Sequence, residues 1–183
     1  MNTRSLAWMT IPAAMLSISC GDAVPPPGEA AVSVQIGNSR DAPGGYACGQ
    51  SHTLIWGNTG PSSSSQGSTW IDGEDGKEVS CSVSGGGTYE FSGKVVGQSS
   101  SFSITGSVQA GGTGTASVYF FDTGGEFGYV VRDNSCTVSA TDNYKVEKGA
   151  VWASFHCSHM TSAEDMYLWC DANGTFVFKS CDD

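Results

Sequence analysis

The chain alternates. Residues 31–36 set Val32, Val34 and Ile36 on one face against Ser33 and Gln35. Residues 78–84 alternate Val79, Cys81 and Val83 with polar neighbours, and 88–92 do the same with Tyr89 and Phe91. Runs at 101–108 (Phe102, Ile104) and 115–122 (Val118, Phe120) repeat the pattern. Residues 150–157 carry Val151, Ala153, Phe155 and Cys157 against Trp152, Ser154 and His156. Further short runs lie at 53–56, 127–132, 136–140 and 175–180, the last with Phe176 and Phe178. A period of two places alternate side chains on opposite faces of a strand, so these segments predict half-buried β-strands.

Glycine marks the breaks. Gly85-Gly86-Gly87, Gly111-Gly112 and Gly124-Gly125 each separate two alternating runs, as in tight hairpins. Asn173-Gly174 is a further turn pair ahead of the last run. Ser162 with Asp165 fits a capping box, and residues 163–169 predict a helix of about two turns. Residues 57–68 (GNTGPSSSSQGS) are low in complexity and predict an exposed loop. The expected fold is all-β: a single antiparallel β-sandwich or small barrel of nine or ten strands, with one short helix near the C-terminus.

Composition agrees. Gly, Ser and Thr make up 66 of 183 residues, while charged residues are only 14%. That excludes a coiled coil or a helical bundle. Nucleic acid is not an expected partner, because phosphate contacts need clustered Lys and Arg and the eight present are scattered. With 39% hydrophobic residues the chain can still build a core. The formal net charge of −10 favours neutral or cationic ligands over anionic surfaces.

The N-terminus has the layout of an export signal. Arg4 supplies a positive start, residues 6–18 are mostly apolar, and this core is too short to span a bilayer. It ends in Leu16-Ser17-Ile18-Ser19-Cys20. This resembles the lipobox of bacterial lipoproteins, with Ser19 as the small residue before the cysteine. Ser17 departs from the family's preferred Leu, which here stands one place early. The resemblance covers about the first 30 residues. It implies cleavage before Cys20, acylation of Cys20, and anchoring in the lipid bilayer through acyl chains, each buried CH₂ contributing ~0.8 kcal/mol. Gly21 follows the cysteine and Asp22 stands one place later, which in this family implies sorting to the outer rather than the inner membrane. The expected domains are a signal peptide (1–19), a lipidated Pro-rich tether (20–31, with Pro25-Pro26-Pro27) and an extracytoplasmic β domain (32–183). Cleavage would leave 164 residues with a net charge of −11.

Cysteine parity points the same way. Seven cysteines leave one unpaired in an oxidising compartment. Assigning Cys20 to lipid leaves Cys48, Cys81, Cys136, Cys157, Cys170 and Cys181. Many connectivities are open. Placing each cysteine at a strand or helix end suggests Cys157–Cys170, Cys136–Cys181 and, as the remainder, Cys48–Cys81.

Candidate chemistry is sparse. Asp72-Gly73-Glu74-Asp75-Gly76 suggests a calcium loop, but Gly76 falls at the fifth place and Lys77 at the sixth, out of step with an EF-hand, so a solvated Gly turn is expected. His156 and His159, with His52, form the sole possible histidine cluster. Residues three apart on a strand face opposite ways, so a structural role is expected and no metal. There is no GxSxG elbow. Trp56 and Trp70 flank the Ser-rich loop and could stack on sugars, or could anchor the loop's ends in the core. These features predict a non-catalytic cell-envelope lipoprotein without a cofactor. It would act as a structural or interaction module with an envelope protein or a neutral glycan as partner. A carbohydrate-binding module is the alternative, and a hydrolase a third.

Overall fold

A computed structural model describes residues 25–39, 51–60, 69–122, 127–162 and 169–183. The expected signal peptide, Cys20, Cys48 and most of the Ser-rich loop lie outside the described residues. Eleven strands form one antiparallel sheet: β1 (Glu29–Asn38), β2 (His52–Trp56), β3 (Trp70–Ile71), β4 (Glu78–Gly86), β5 (Thr88–Val96), β6 (Ser100–Gln109), β7 (Thr113–Asp122), β8 (Phe127–Ser139), β9 (Lys145–Glu147), β10 (Ala150–Ser162) and β11 (Trp169–Lys179). Their order is β2-β1-β11-β10-β8-β7-β6-β5-β4, with β3 beside β1 and β9 beside β10. The sheet curls into a half-barrel around one core.

The predicted alternation fills that core. Val32, Val34 and Ile36 of β1, Phe102 and Ile104 of β6, Val118 and Phe120 of β7, and Phe176 and Phe178 of β11 are all essentially inaccessible to solvent. Aromatic rings cross the interior in a chain. Trp56 meets Phe102 at 5.9 Å between centroids, Phe102 meets Phe155 at 5.9 Å, and Phe155 meets Phe176 at 6.2 Å. These spacings are those of favourable tilted pairs. The β4–β5 and β6–β7 hairpins turn at Gly87 (φ 95°) and Gly111 (φ 66°), in the region that favours glycine.

The free edge of β4 is covered by the C-terminus. Val83 N–H donates to Asp182 O (2.9 Å) and Asp182 N–H donates to Cys81 O (3.0 Å), forming a short parallel bridge at Ser82. Gly149 N–H donates to Val83 O on the same edge (3.1 Å). The Cys81–Cys181 disulfide fixes the tail in place. An edge paired in this way is not open to another chain's strand.

Several expectations change. The disulfides are Cys81–Cys181 and Cys136–Cys157. This replaces all three suggested pairs, because β8 and β10 are hydrogen-bonded neighbours and the tail runs to β4 rather than toward β8. Cys170 is also disulfide-bonded, to a residue outside those described. The helix expected at 163–169 is not matched by its flanks. Ser162 ends β10, Trp169 starts β11, and 163–168 lie outside the described residues. Among the described residues there is no α-helix, and the sole helical turn is the 3₁₀ segment Glu74–Gly76. Asn173-Gly174 is not a turn but the middle of β11, where the ring of Phe155 occupies the space a Cβ on Gly174 would need. The runs at 127–132 and 136–140 are one strand, β8, whose pairing slips between them against both neighbours. β1 begins at Glu29, so Ala30 and Ala31, assigned to the tether, are fully buried sheet residues. The two short strands β3 and β9 carry too few residues to show a period.

Candidate functional site: the outer face of β1, β11, β10 and β8

The outward positions of these four strands form an unusual surface. The cross-strand register lines up Gln35, Asn173, His156 and Thr137 in one row. The next row holds Ser33, Thr175, Ser154 and Ser139. No member of either row carries a fixed charge, in a chain whose net charge is −10. Together they line a shallow groove of about 460 Å³. Thr59, from the segment after β2, closes over one side of it and shares a 3.0 Å hydrogen bond with Thr175.

His156 Nδ1 lies 2.8 Å from Asn173 Oδ1. With the amide oxygen toward the ring, Nδ1 donates to it and Nε2 of the neutral imidazole is an acceptor. The Asn173 NH₂ stays available as a donor. One acceptor and one donor therefore stand side by side at the exposed surface of the groove.

Just beyond, β10 bulges. Between the pairs Cys157–Ala172 and Met160–Cys170, Ser158 and His159 together oppose the single residue Asp171. His159 adopts φ 61°, uncommon for a residue with a side chain. Its N–H points to Asp171 Oδ1 at 3.4 Å, and its ring meets the Trp169 ring edge-on at 4.8 Å. Cys170 and Ala172 point inward, fully buried, so Trp169 and Asp171 lie on the outer side. The bulge thus puts His159 on the same face as His156. The expectation of opposite faces fails because it assumed an uninterrupted strand. The alternation carried a readable sign of this: Val151, Ala153, Phe155 and Cys157 step by two, and the next buried residue, Met160, comes three later.

The other sequence candidates go elsewhere. His52 shares the inward phase of β2 with Leu54 and Trp56, away from the other two histidines. Among the described residues no group of three or more His, Cys, Asp and Glu is placed to hold a metal. Trp56 is only 1% exposed and its indole N–H donates to Ser100 Oγ at 3.0 Å, so it has no ring face for a sugar. Trp70 packs against the core and over Gly97, with Lys77 Nζ 5.5 Å from its ring centroid. Both rings anchor the loop's ends. In the acidic turn, Asp72 Oδ1 accepts from Val79 N–H (2.8 Å) and Asp75 pairs with Lys77 (3.3 Å), so these carboxylates serve the turn itself.

A second feature lies on the same side of the sheet. Ala31, Val177 and Trp152 form a small apolar cluster with Tyr144. Trp152 Nε1 is buried there without a hydrogen-bond partner. No protein-family model, curated protein or solved structure matches this chain.

Proposed function

We propose that this protein is a lipid-anchored, non-catalytic module of a bacterial cell envelope, held by acyl chains on Cys20 and displaying its sheet for structure or interaction. The observation that carries the reading is cysteine parity. All five described cysteines are in disulfides, four of them paired among themselves. Cys170 therefore takes Cys20 or Cys48. In this reading it takes Cys48, and Cys20 is the odd cysteine, standing where the lipobox needs it. The sheet starts at Glu29, after an exposed Pro25-Pro26-Pro27. An extended tether of this kind rises ~3.1 Å per residue, which holds the domain within roughly 25–30 Å of the lipid.

The test is the intact mass of protein extracted from membranes with detergent, before and after reduction and alkylation. The reading expects a chain starting at Cys20 with added acyl mass and six thiols that appear only on reduction. Peptide mapping should join Cys48 to Cys170. A chain without lipid, or a Cys20–Cys170 bridge, would overturn the anchor.

A further inference from the structure

We infer that the outer face of β10 and β11, from the His159 bulge to the Gln35 row, is a binding site for a neutral, hydroxyl-rich ligand, that is, an uncharged glycan. This names the partner of the interaction module proposed above and rests on that reading. The anchor is tested by mass and the face by titration, so either can fail alone.

Four observations converge on this face. The groove is lined by hydroxyl, amide and imidazole groups around Phe155 and Gly174, with no fixed charge. Neutral polyols are recognised by paired donors and acceptors, because each sugar hydroxyl both gives and takes a hydrogen bond. The His156–Asn173 pair supplies such a set in either orientation of the amide. If the amide is turned, imidazole Nε2 becomes the donor and the amide oxygen the acceptor.

The second observation is the bulge. It turns His159 outward, against Trp169 and beside Asp171, in the row next to the one holding Asn173. Alternate residues on a strand are ~6.8 Å apart, so Asp171 and Asn173 are spaced for one sugar ring. The third is space. Gly37 is the cross-strand partner of Asp171, and a Cβ there would touch nothing, so the shelf beside the carboxylate is open. The fourth is the half-buried Trp169 indole, an aromatic side chain at this end of the face able to close on the apolar side of a sugar. Asp171 is the sole carboxylate among these groups. It accepts hydroxyls, and it repels acidic polymers together with the rest of the chain.

The experiment uses the full chain in detergent, labelled for NMR at indole N–H and imidazole C–H. It is titrated with cellohexaose, chitohexaose and dextran, and separately with polygalacturonate. The inference expects saturable shifts at Trp169, His156 and His159 with at least one neutral probe, with Trp56 and Trp152 as unmoved references. Gln35→Ala and Asn173→Ala change exposed side chains, so the fold should hold. Each should weaken the neutral glycan about tenfold, as for one lost polar contact, with an unchanged melting temperature. Absence of shifts with all three neutral probes would overturn the inference. So would full binding by both variants, or shifts with polygalacturonate alone.

Discussion

The ring of Phe178 on β11 lies against the bare backbone of Gly93 on β5, across the core. A Cβ on Gly93 would stand inside the space that three atoms of that ring occupy. β5 and β11 are not neighbours in the sheet, so this contact sets how closely its two halves approach. Gly93→Ala should therefore destabilise by roughly 1–3 kcal/mol through overpacking. That outweighs the ~0.5–1 kcal/mol an Ala gains over Gly in a strand. The melting temperature should fall by several degrees. Phe178→Leu should cost less in the Gly93→Ala background than in the native chain, because the two residues are coupled. A stabilised Gly93→Ala protein, or additive costs, would contradict the contact.

The two described disulfides differ in burial and in the chain they close. Cys81 and Cys181 are half-buried at an edge and 100 residues apart. Cys136 and Cys157 are fully buried and 21 residues apart. Loop entropy alone assigns about 4–5 kcal/mol to the first and about 3 kcal/mol to the second. Access to a reductant runs the other way. Mild reduction of the folded protein should open Cys81–Cys181 first, seen as two alkylated thiols at those positions. Exchange of the Val83 and Asp182 amides should then accelerate, since their hydrogen bonds join the tail to β4. Serine at both positions should lower stability more than serine at Cys136 and Cys157. Opening of the buried bridge first would show that the tail is not held as described.

The strands were legible where alternation ran uninterrupted. β1, β4, β5, β6, β7 and the first half of β10 each carry two to four apolar residues in phase, and the hydrophobic effect fixes which face turns inward. What could not be read followed from tertiary context. Asn173-Gly174 has the chemistry of a turn, yet Gly174 is needed mid-strand, where the Phe155 ring covers it. The cysteine pairs depend on strand order and on where the tail ends, and neither has a local signature. The candidate face was hidden for the same reason. Gln35, Asn173 and His156 are far apart in sequence and meet only through register, while the indoles flanking a loop drew attention to Trp56 and Trp70, which the core had claimed. One sign was present: the three-residue step from Cys157 to Met160 marks the bulge that turns His159 outward.

Two buried indoles offer the sharpest energetic contrast. Trp56 N–H is satisfied by Ser100 Oγ at 3.0 Å, whereas Trp152 N–H has no partner. A buried donor left unpaired costs ~1–3 kcal/mol. Ser100→Ala should incur that penalty by orphaning Trp56, and Trp56→Phe should lose both the bond and part of the ring stack with Phe102. At Trp152 the donor is already unpaired, so Trp152→Phe removes an unfavourable group as well as apolar area. The two effects oppose, and the net change should fall within about 1 kcal/mol of zero. Urea unfolding of the three variants, compared at equal slope, checks this. The expected order is Trp152→Phe nearest to native stability, then Ser100→Ala, then Trp56→Phe. A Trp152→Phe loss as large as that at Trp56 would mean the Trp152 N–H has an acceptor in solution, such as an ordered water.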